Sequence, residues 1–264
     1  MSKKLITHLE GTLAGMTPFV SLFLLAILAL SVTACNRVQI SFGGANAVVG
    51  SGKVISATRE VSGFTSVLVS GSGQAEITIG DSDSLVIEAE DNILPLIESS
   101  VLNGKLTLGL KPNTSISTMR GIRYTITVKS LTGVETSGSA DVTVTNTARA
   151  DDFSAYTSGS GAIKLSDVQA QTLTVQTSGS GNVNAAGKVD EARITTSGSG
   201  NFTGSDLQCA SATATTSGSG NVTLWVTDSL TARTSGSGNI RYYGQPSVSS
   251  SESGSGRVTG LGSK

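Results

Sequence analysis

Four nearly identical phrases decide how this chain folds: Thr177-Ser-Gly-Ser-Gly-Asn-Val183, Thr196-Ser-Gly-Ser-Gly-Asn-Phe202, Thr216-Ser-Gly-Ser-Gly-Asn-Val222 and Thr234-Ser-Gly-Ser-Gly-Asn-Ile240. Looser copies extend the series in both directions. Ser-Gly-Ser-Gly begins at Ser70, Ser158, Ser178, Ser197, Ser217, Ser235 and Ser253, and Ser-Gly-Ser-Ala begins at Ser137. From Ser137 onward the steps are 21, 20, 19, 20, 18 and 18 residues. A flexible Gly/Ser linker keeps no period, so these are turns of a repeating structure.

Aligning on the first Ser of each copy exposes columns. Five positions later stand Val142, Ile163, Val183, Phe202, Val222, Ile240 and Val258; seven later stand Val144, Leu165, Ala185, Gly204, Leu224, Tyr242 and Gly260. Three positions before stand Val134, Ala155, Val175, Ile194, Ala214, Ala232 and Ser250. Polar residues such as Lys164, Asn184, Thr203 and Arg241 alternate with them. Period-2 alternation predicts two short half-buried strands flanking each turn. A unit of ~20 residues cannot bury its own apolar face, but stacked units can. The expected fold is all-β, a right-handed single-stranded parallel β-helix with coils of 18–21 residues. Six steps of ~4.8 Å give a rod of about 29 Å for the regular half.

The turn residues carry their own expectations. Gly at two fixed positions supplies positive φ where the chain bends. The recurrent Asn182, Asn201, Asn221 and Asn239 are placed to hydrogen-bond along the rod. The Thr column, from Thr136 to Thr234, is expected to hold coils in register. Both columns read as structural rather than catalytic.

Residues 53–262 form the expected β-helix domain, with irregular, enlarged coils over 53–136 and regular ones over 137–262. The 67 residues from Ser70 to Ser137 allow about three enlarged coils, acting as the N-terminal end of the same solenoid. Residues 1–34 read as a signal peptide and 35–52 as a tether. Phe19 to Val32 is a 14-residue, almost unbroken apolar run, too short to span a ~30 Å hydrocarbon core comfortably. Val32-Thr33-Ala34-Cys35 resembles the bacterial lipobox, which implies cleavage before Cys35 and lipid attachment to it. Asn36 is not the inner-membrane retention residue, so outer-membrane placement is favoured. Both Met1 and Met16 are possible starts, the second losing Lys3 and Lys4.

Composition narrows the chemistry. The chain has 264 residues, 32 Gly, a net charge of −1 and one histidine, His8, inside the signal segment. A mature chain without histidine excludes Ser-His-Asp and Cys-His catalysis and His-ligated metals. Near-neutral charge argues against a nucleic-acid partner. With Cys35 acylated, Cys209 is left as a buried, unpaired thiol. Calcium-binding β-rolls need recurrent Asp in their turns, and these turns have Asn, Ala or Arg. Gly-Ser-Gly without a following Lys-Ser/Thr and helix is no phosphate loop. Asp81, Asp83, Asp151 and Asp152 read as turn-forming residues. No metal and no cofactor is expected.

A longer resemblance runs through the chain. Arg59-Glu-Val-Ser-Gly-Phe-Thr-Ser-Val-Leu-Val-Ser-Gly-Ser-Gly73, Ile77-Thr-Ile-Gly-Asp81, Glu88-Ala-Glu-Asp-Asn-Ile-Leu-Pro95, Asn103-Gly-Lys-Leu-Thr-Leu108 and the Ser-Gly-Ser-Gly-Asn turns resemble the head GIN domain family of auto-transporter adhesin-like bacterial proteins. The resemblance covers about Lys53 to Gly262. It implies a secreted or lipid-anchored β-helix in the cell envelope and brings no catalytic or binding residues with it.

One surface feature stands out. Eight positions after the repeat Ser, an outward slot, come Trp225 and Tyr243 on consecutive coils, with Arg241 two positions from Tyr243. Aromatic planes beside a charged donor suit a sugar ring. The same pair also reads as a cross-strand aromatic pair stabilising an exposed face, or one covered by the C-terminal tail. The functional expectation is a lipid-anchored, non-enzymatic structural or adhesive module binding a glycan or a surface protein. The alternatives are a β-helix polysaccharide lyase or hydrolase, and a passive spacer or self-assembling unit. The sequence leaves the oligomeric state open.

Overall fold

The structure, a computed structural model, describes residues 47–264. The expected signal peptide, most of the tether and the lipid site Cys35 lie outside the described residues. The regular half is built from β11 (Asp141–Thr157), β12 (Ile163–Thr177), β13 (Val183–Thr196), β14 (Phe202–Thr216) and β15 (Val222–Thr234), and each pairs in parallel with the next. The chain is a parallel β-helix, as the repeat predicts. Each coil, however, is one long bent strand rather than two short ones. No Pro interrupts the 13 to 17 residues of each strand, and the corner is taken by a bulge, seen as register shifts between Val144 and Thr147 and between Leu165 and Val168. The next coil is broken into β16 (Ile240–Tyr243) and β17 (Ser247–Glu252), both stacked on β15, and β18 (Val258–Gly260) begins a further coil on β16. The break falls where Gly244, at φ 98°, and Pro246 interrupt the strand.

The inward columns are those the alternation marks. Val142, Ile163, Val183, Phe202, Val222 and Ile240 are 0–1% exposed and in direct register. Beyond the corner, Ala150, Ala170, Val189, Cys209 and Val226 form a further column in register, as do Phe153, Leu173, Ala192, Ala212 and Leu230. Volumes compensate between columns within a coil. A Cβ on Gly204 would lie 2.6 Å from the Phe202 ring, so the large side chain occupies what its small neighbour leaves.

The glycines serve a different purpose from the one expected. In the regular coils none of the turn glycines, from Gly159 to Gly238, has a left-handed φ. A Cβ on Gly179, Gly198, Gly218 or Gly236 would instead stand 2.2–2.3 Å from the carbonyl oxygen of the equivalent glycine one coil before. The column is glycine because adjacent turns stack backbone on backbone. Within the Ser-Gly turns, positive φ is confined to the flanking copies, at Gly71, Gly73, Gly138 and Gly254.

The two polar columns work in different directions. The Asn201 side-chain amide donates to Asn182 Oδ1 at 2.9 Å, Asn221 to Asn201 at 3.1 Å, and Asn239 to Asn221 at 3.2 Å, while each of those backbone N–H groups donates to the same oxygen. This is the expected ladder along the rod. The Thr column acts within a coil: the hydroxyls of Thr136, Thr157, Thr216 and Thr234 donate to the carbonyl four residues on, at 2.8–3.1 Å.

At the N-terminal end the chain departs from enlarged coils. Its strands are β1 (Val48–Val49), β2 (Val54–Arg59), β3 (Ser66–Gly71), β4 (Gln74–Ile79), β5 (Ser84–Glu90), β6 (Ile97–Leu102), β7 (Lys105–Leu110), β8 (Ile116–Ser117), β9 (Arg123–Val128) and β10 (Gly133–Gly138). The coil β3–β4 lies between β7 and β9 on one side and β10 and β11 on the other, all parallel, so stacking order departs from chain order. Outside this, β5 runs antiparallel to β9 and β2, and β6 antiparallel to β7. The reversal into β7 is a two-residue turn, Asn103-Gly104, with φ of 49° and 73° at the two residues. The strands that close this end are therefore reversed strands and not loops on a continuing coil. Buried Ile93 and Leu94, at a single 3₁₀ turn over Leu94–Leu96, join the core there.

One buried carboxylate ties this end together. Glu90, the last residue of β5, is fully enclosed and accepts the Gly52 N–H at 2.8 Å and the Thr118 hydroxyl at 2.5 Å. The Thr118 hydroxyl chiefly, with backbone N–H groups of Gly52, Met119 and Arg120, holds its carboxyl below the usual range against the opposing effect of burial. Gly50 is pressed against the same carboxylate, where a Cβ would overlap it.

Candidate functional site

The aromatic pair follows from strand alternation. In β15, Val222, Leu224 and Val226 point into the core, so Thr223 and Trp225 point out. Trp225 is the direct cross-strand partner of Tyr243 in β16, and Thr223 the partner of Arg241. The three residues named from the sequence therefore share one outward face of two adjacent rungs. Both rings are half-buried and Arg241 is exposed.

A fourth residue completes the patch. After β18 the chain runs on parallel to β16, with the Leu261 N–H donating to Tyr242 O at 2.7 Å and the Gly244 N–H to Gly262 O at 2.9 Å. This brings Lys264 Nζ to 5.1 Å from the centre of the Trp225 ring and 5.8 Å from that of Tyr243. The ammonium also donates to Asp206 Oδ1 at 2.6 Å and to the Ser205 carbonyl. A cation over aromatic faces at such a site is worth about 0.5–1 kcal/mol. Lys264 lies past the last repeat, so no column marks it; the expected cover by the C-terminal tail was the nearest signal.

The remaining sequence candidates are structural in placement. Asp83 accepts the Gly63 N–H at 2.8 Å and the Lys129 N–H at 3.1 Å, and Asp151 accepts the Gln171 side-chain amide at 3.0 Å. Cys209 is fully buried, its thiol donating to the Trp225 carbonyl at 3.2 Å and pushed up to about 12 by burial. Among the described residues, no three His, Cys, Asp or Glu side chains gather as a metal site would require. No helix among the described residues is long and apolar enough to cross a membrane.

Comparison with known proteins bears on the fold and on the family. A solved structure named as a putative adhesin from Bacteroides fragilis is 28% identical, with a TM-score of 0.76 over 81% of this chain and 100% of its own. One named as a putative lipid binding protein from Parabacteroides distasonis is 24% identical, with a TM-score of 0.71 over 81% and 99%. A putative adhesin from Parabacteroides merdae gives 20% and 0.64 over 81% and 99%. Among curated proteins none matches. The family described as putative auto-transporter adhesin, head GIN domain, matches residues 63–246, which takes in β3 to β16 and so the Ser-Gly coils up to the break after Tyr243. With most of the chain covered and its architecture shared by solved relatives, the protein belongs to the head GIN domain family.

Proposed function

We propose that this protein is a non-catalytic, lipid-anchored module of the bacterial cell envelope that presents a rigid rod and binds glycan through the Trp225–Tyr243 face. The observation that carries the reading is the direct register of two aromatic rings with Arg241 on the same side of the same strands. Offset ring faces stack on the apolar face of a pyranose, and a guanidinium beside them supplies the donors that orient its hydroxyls. The adhesin names of the family and of the Bacteroides fragilis neighbour accord with a surface role. The Val32-Thr33-Ala34-Cys35 signal supports lipidation at Cys35, and Asn36 favours the outer membrane. Several acyl chains together give stable anchoring.

Two measurements separate the parts of this reading. Radiolabelled palmitate incorporated into the wild-type protein and lost in Cys35→Ala tests the anchor; label retained in the variant refutes it. Glycan-array binding that falls at least tenfold in the Trp225→Ala/Tyr243→Ala double variant tests the aromatic face. Unchanged binding removes the glycan from this patch.

A further inference from the structure

At the reversed-strand end of the rod a cleft of about 660 Å³ opens between β2 and β6. Ala57 and Arg59 border it on one side, Ile97 and Ser99 on the other, with Pro95 and Lys111 at its margin. Each of the two strands has a single pairing partner among the described residues, β5 for β2 and β7 for β6, so each offers an open edge.

The alternation of antiparallel bonds tells which peptide groups are free. Leu102 and Lys105 flank the two-residue turn, so they form the bonded pair that closes that hairpin, and Ser100·Thr107 and Glu98·Gly109 follow at steps of two. The N–H and C=O groups of Ser99 and Val101 therefore point away from β7. In β2 the Asp91 N–H donates to Lys53 O, which makes Ile55·Ala89, Ala57·Ile87 and Arg59·Leu85 the bonded pairs. The peptide groups of Val54, Ser56 and Thr58 are left on the open edge.

Charge says what kind of strand would be received. Arg59 and Lys111 both border the cleft, neither has an ion pair among the described residues, and Arg59 Nε is buried without a hydrogen-bond partner. The one carboxylate at the cleft is Glu98, which is exposed and also without an ion pair among those residues. A buried guanidinium N–H without a partner is unfavourable, and an incoming carboxylate would satisfy it. From these observations we infer that the cleft is a docking site for an extended acidic peptide segment of another envelope protein, added as a strand to the open edge of β6 or β2, with a carboxylate at Arg59 and Lys111. This site lies apart from the aromatic face and does not depend on it.

In strand addition the main-chain bonds carry affinity, so a generic peptide of the right charge is a fair probe. The experiment is hydrogen–deuterium exchange on the full lipidated chain in detergent. The probes are acetyl-Glu-Val-Thr-Val-Glu-amide and its proline counterpart acetyl-Glu-Val-Pro-Val-Glu-amide, each at millimolar concentration. The first peptide slows exchange in 97–102 or 54–59 at least fivefold, the second does not, and Lys111→Gln or Arg59→Gln weakens the first at least fivefold. Lys111 is exposed, so its variant keeps the fold. Equal protection by the proline peptide would mean that only the anion is read, and would overturn the proposal. So would an absence of protection, or edges already protected without peptide because the chain's own tether or a second copy fills them.

Discussion

The hydroxyl of Thr216 donates to the carbonyl oxygen of Gly220, 3.0 Å away on the far side of the same turn. Thr136, Thr157 and Thr234 repeat this bond in their own coils. It clamps these four turns at their base, with the hydroxyl buried, whereas the buried hydroxyls of Thr177 and Thr196 make no such bond. Thr216→Val keeps the shape and leaves the Gly220 carbonyl without this donor, at a cost of about 1–3 kcal/mol. Urea unfolding should show a lower midpoint with an unchanged slope.

Stacking of turn on turn makes the glycine column intolerant of any side chain. A Cβ at Gly218 would lie 2.2 Å from the Gly198 carbonyl oxygen, so Gly218→Ala must push two coils apart and should cost about 3 kcal/mol. Ser219→Ala, at the neighbouring exposed position, should stay within about 0.5 kcal/mol. Thermal unfolding of the pair distinguishes a packing requirement from a merely flexible turn.

Acid should loosen the reversed-strand end before the coils. The Glu90 carboxyl titrates below its ordinary value of 4.5 because the Thr118 hydroxyl and the Gly52 N–H stabilise the carboxylate. Its contribution to stability is complete above that ordinary value and is lost as pH falls through the lowered one. Glu90→Gln should therefore raise exchange in 50–52 and 118–121 at pH 7, and its difference from wild type should shrink as the pH drops below 4.5 and toward the lowered value. A difference independent of pH would assign Glu90 a role in shape alone.

Cys209 should be silent to thiol reagents in the folded protein. Its sulfur is fully buried and its pKa is raised to about 12, so almost no thiolate exists at neutral pH. Reaction with a disulfide reagent should appear only with unfolding and at its rate. Fast labelling of the native protein would contradict the packing of this column.

Lys264 should govern access to the aromatic face. Trp225 is the single tryptophan of the chain, so its fluorescence reports this site alone. Lys264→Ala should increase acrylamide quenching of that emission, and any glycan that stacks on the rings should bind the variant more tightly because no ammonium has to be displaced.

Much of this was legible because a solenoid writes its core as a period. The columns of Val142 and Ala155 could be assigned inward from alternation alone, and Asn182 to Asn239 read correctly as a ladder along the rod. The outward pairing of Trp225 with Tyr243 followed from the same count. Three features escaped. The reason for glycine lies in the distance between coils, which no single coil encodes. The antiparallel packing of β5 and β6 arises from turns outside the repeat. Lys264 reaches its aromatic partners from a tail that no column indexes, so the expectation that the tail could cover the pair named no residue.

The position of β3 and β4 sets an order of events for a chain that emerges amino end first. These strands are made early, yet both of their flanks are filled by residues made later: Lys105–Val128 on one side and Gly133–Val144 on the other. One flank stays open until Val128 has been delivered and the other until Val144, and pairing across 67 residues is entropically slow. The regular coils need no such wait, since each can settle on its predecessor as it arrives. The interleaved end is thus the bottleneck of assembly. It is the stretch that most needs an escort while the rest of the rod zips up behind it.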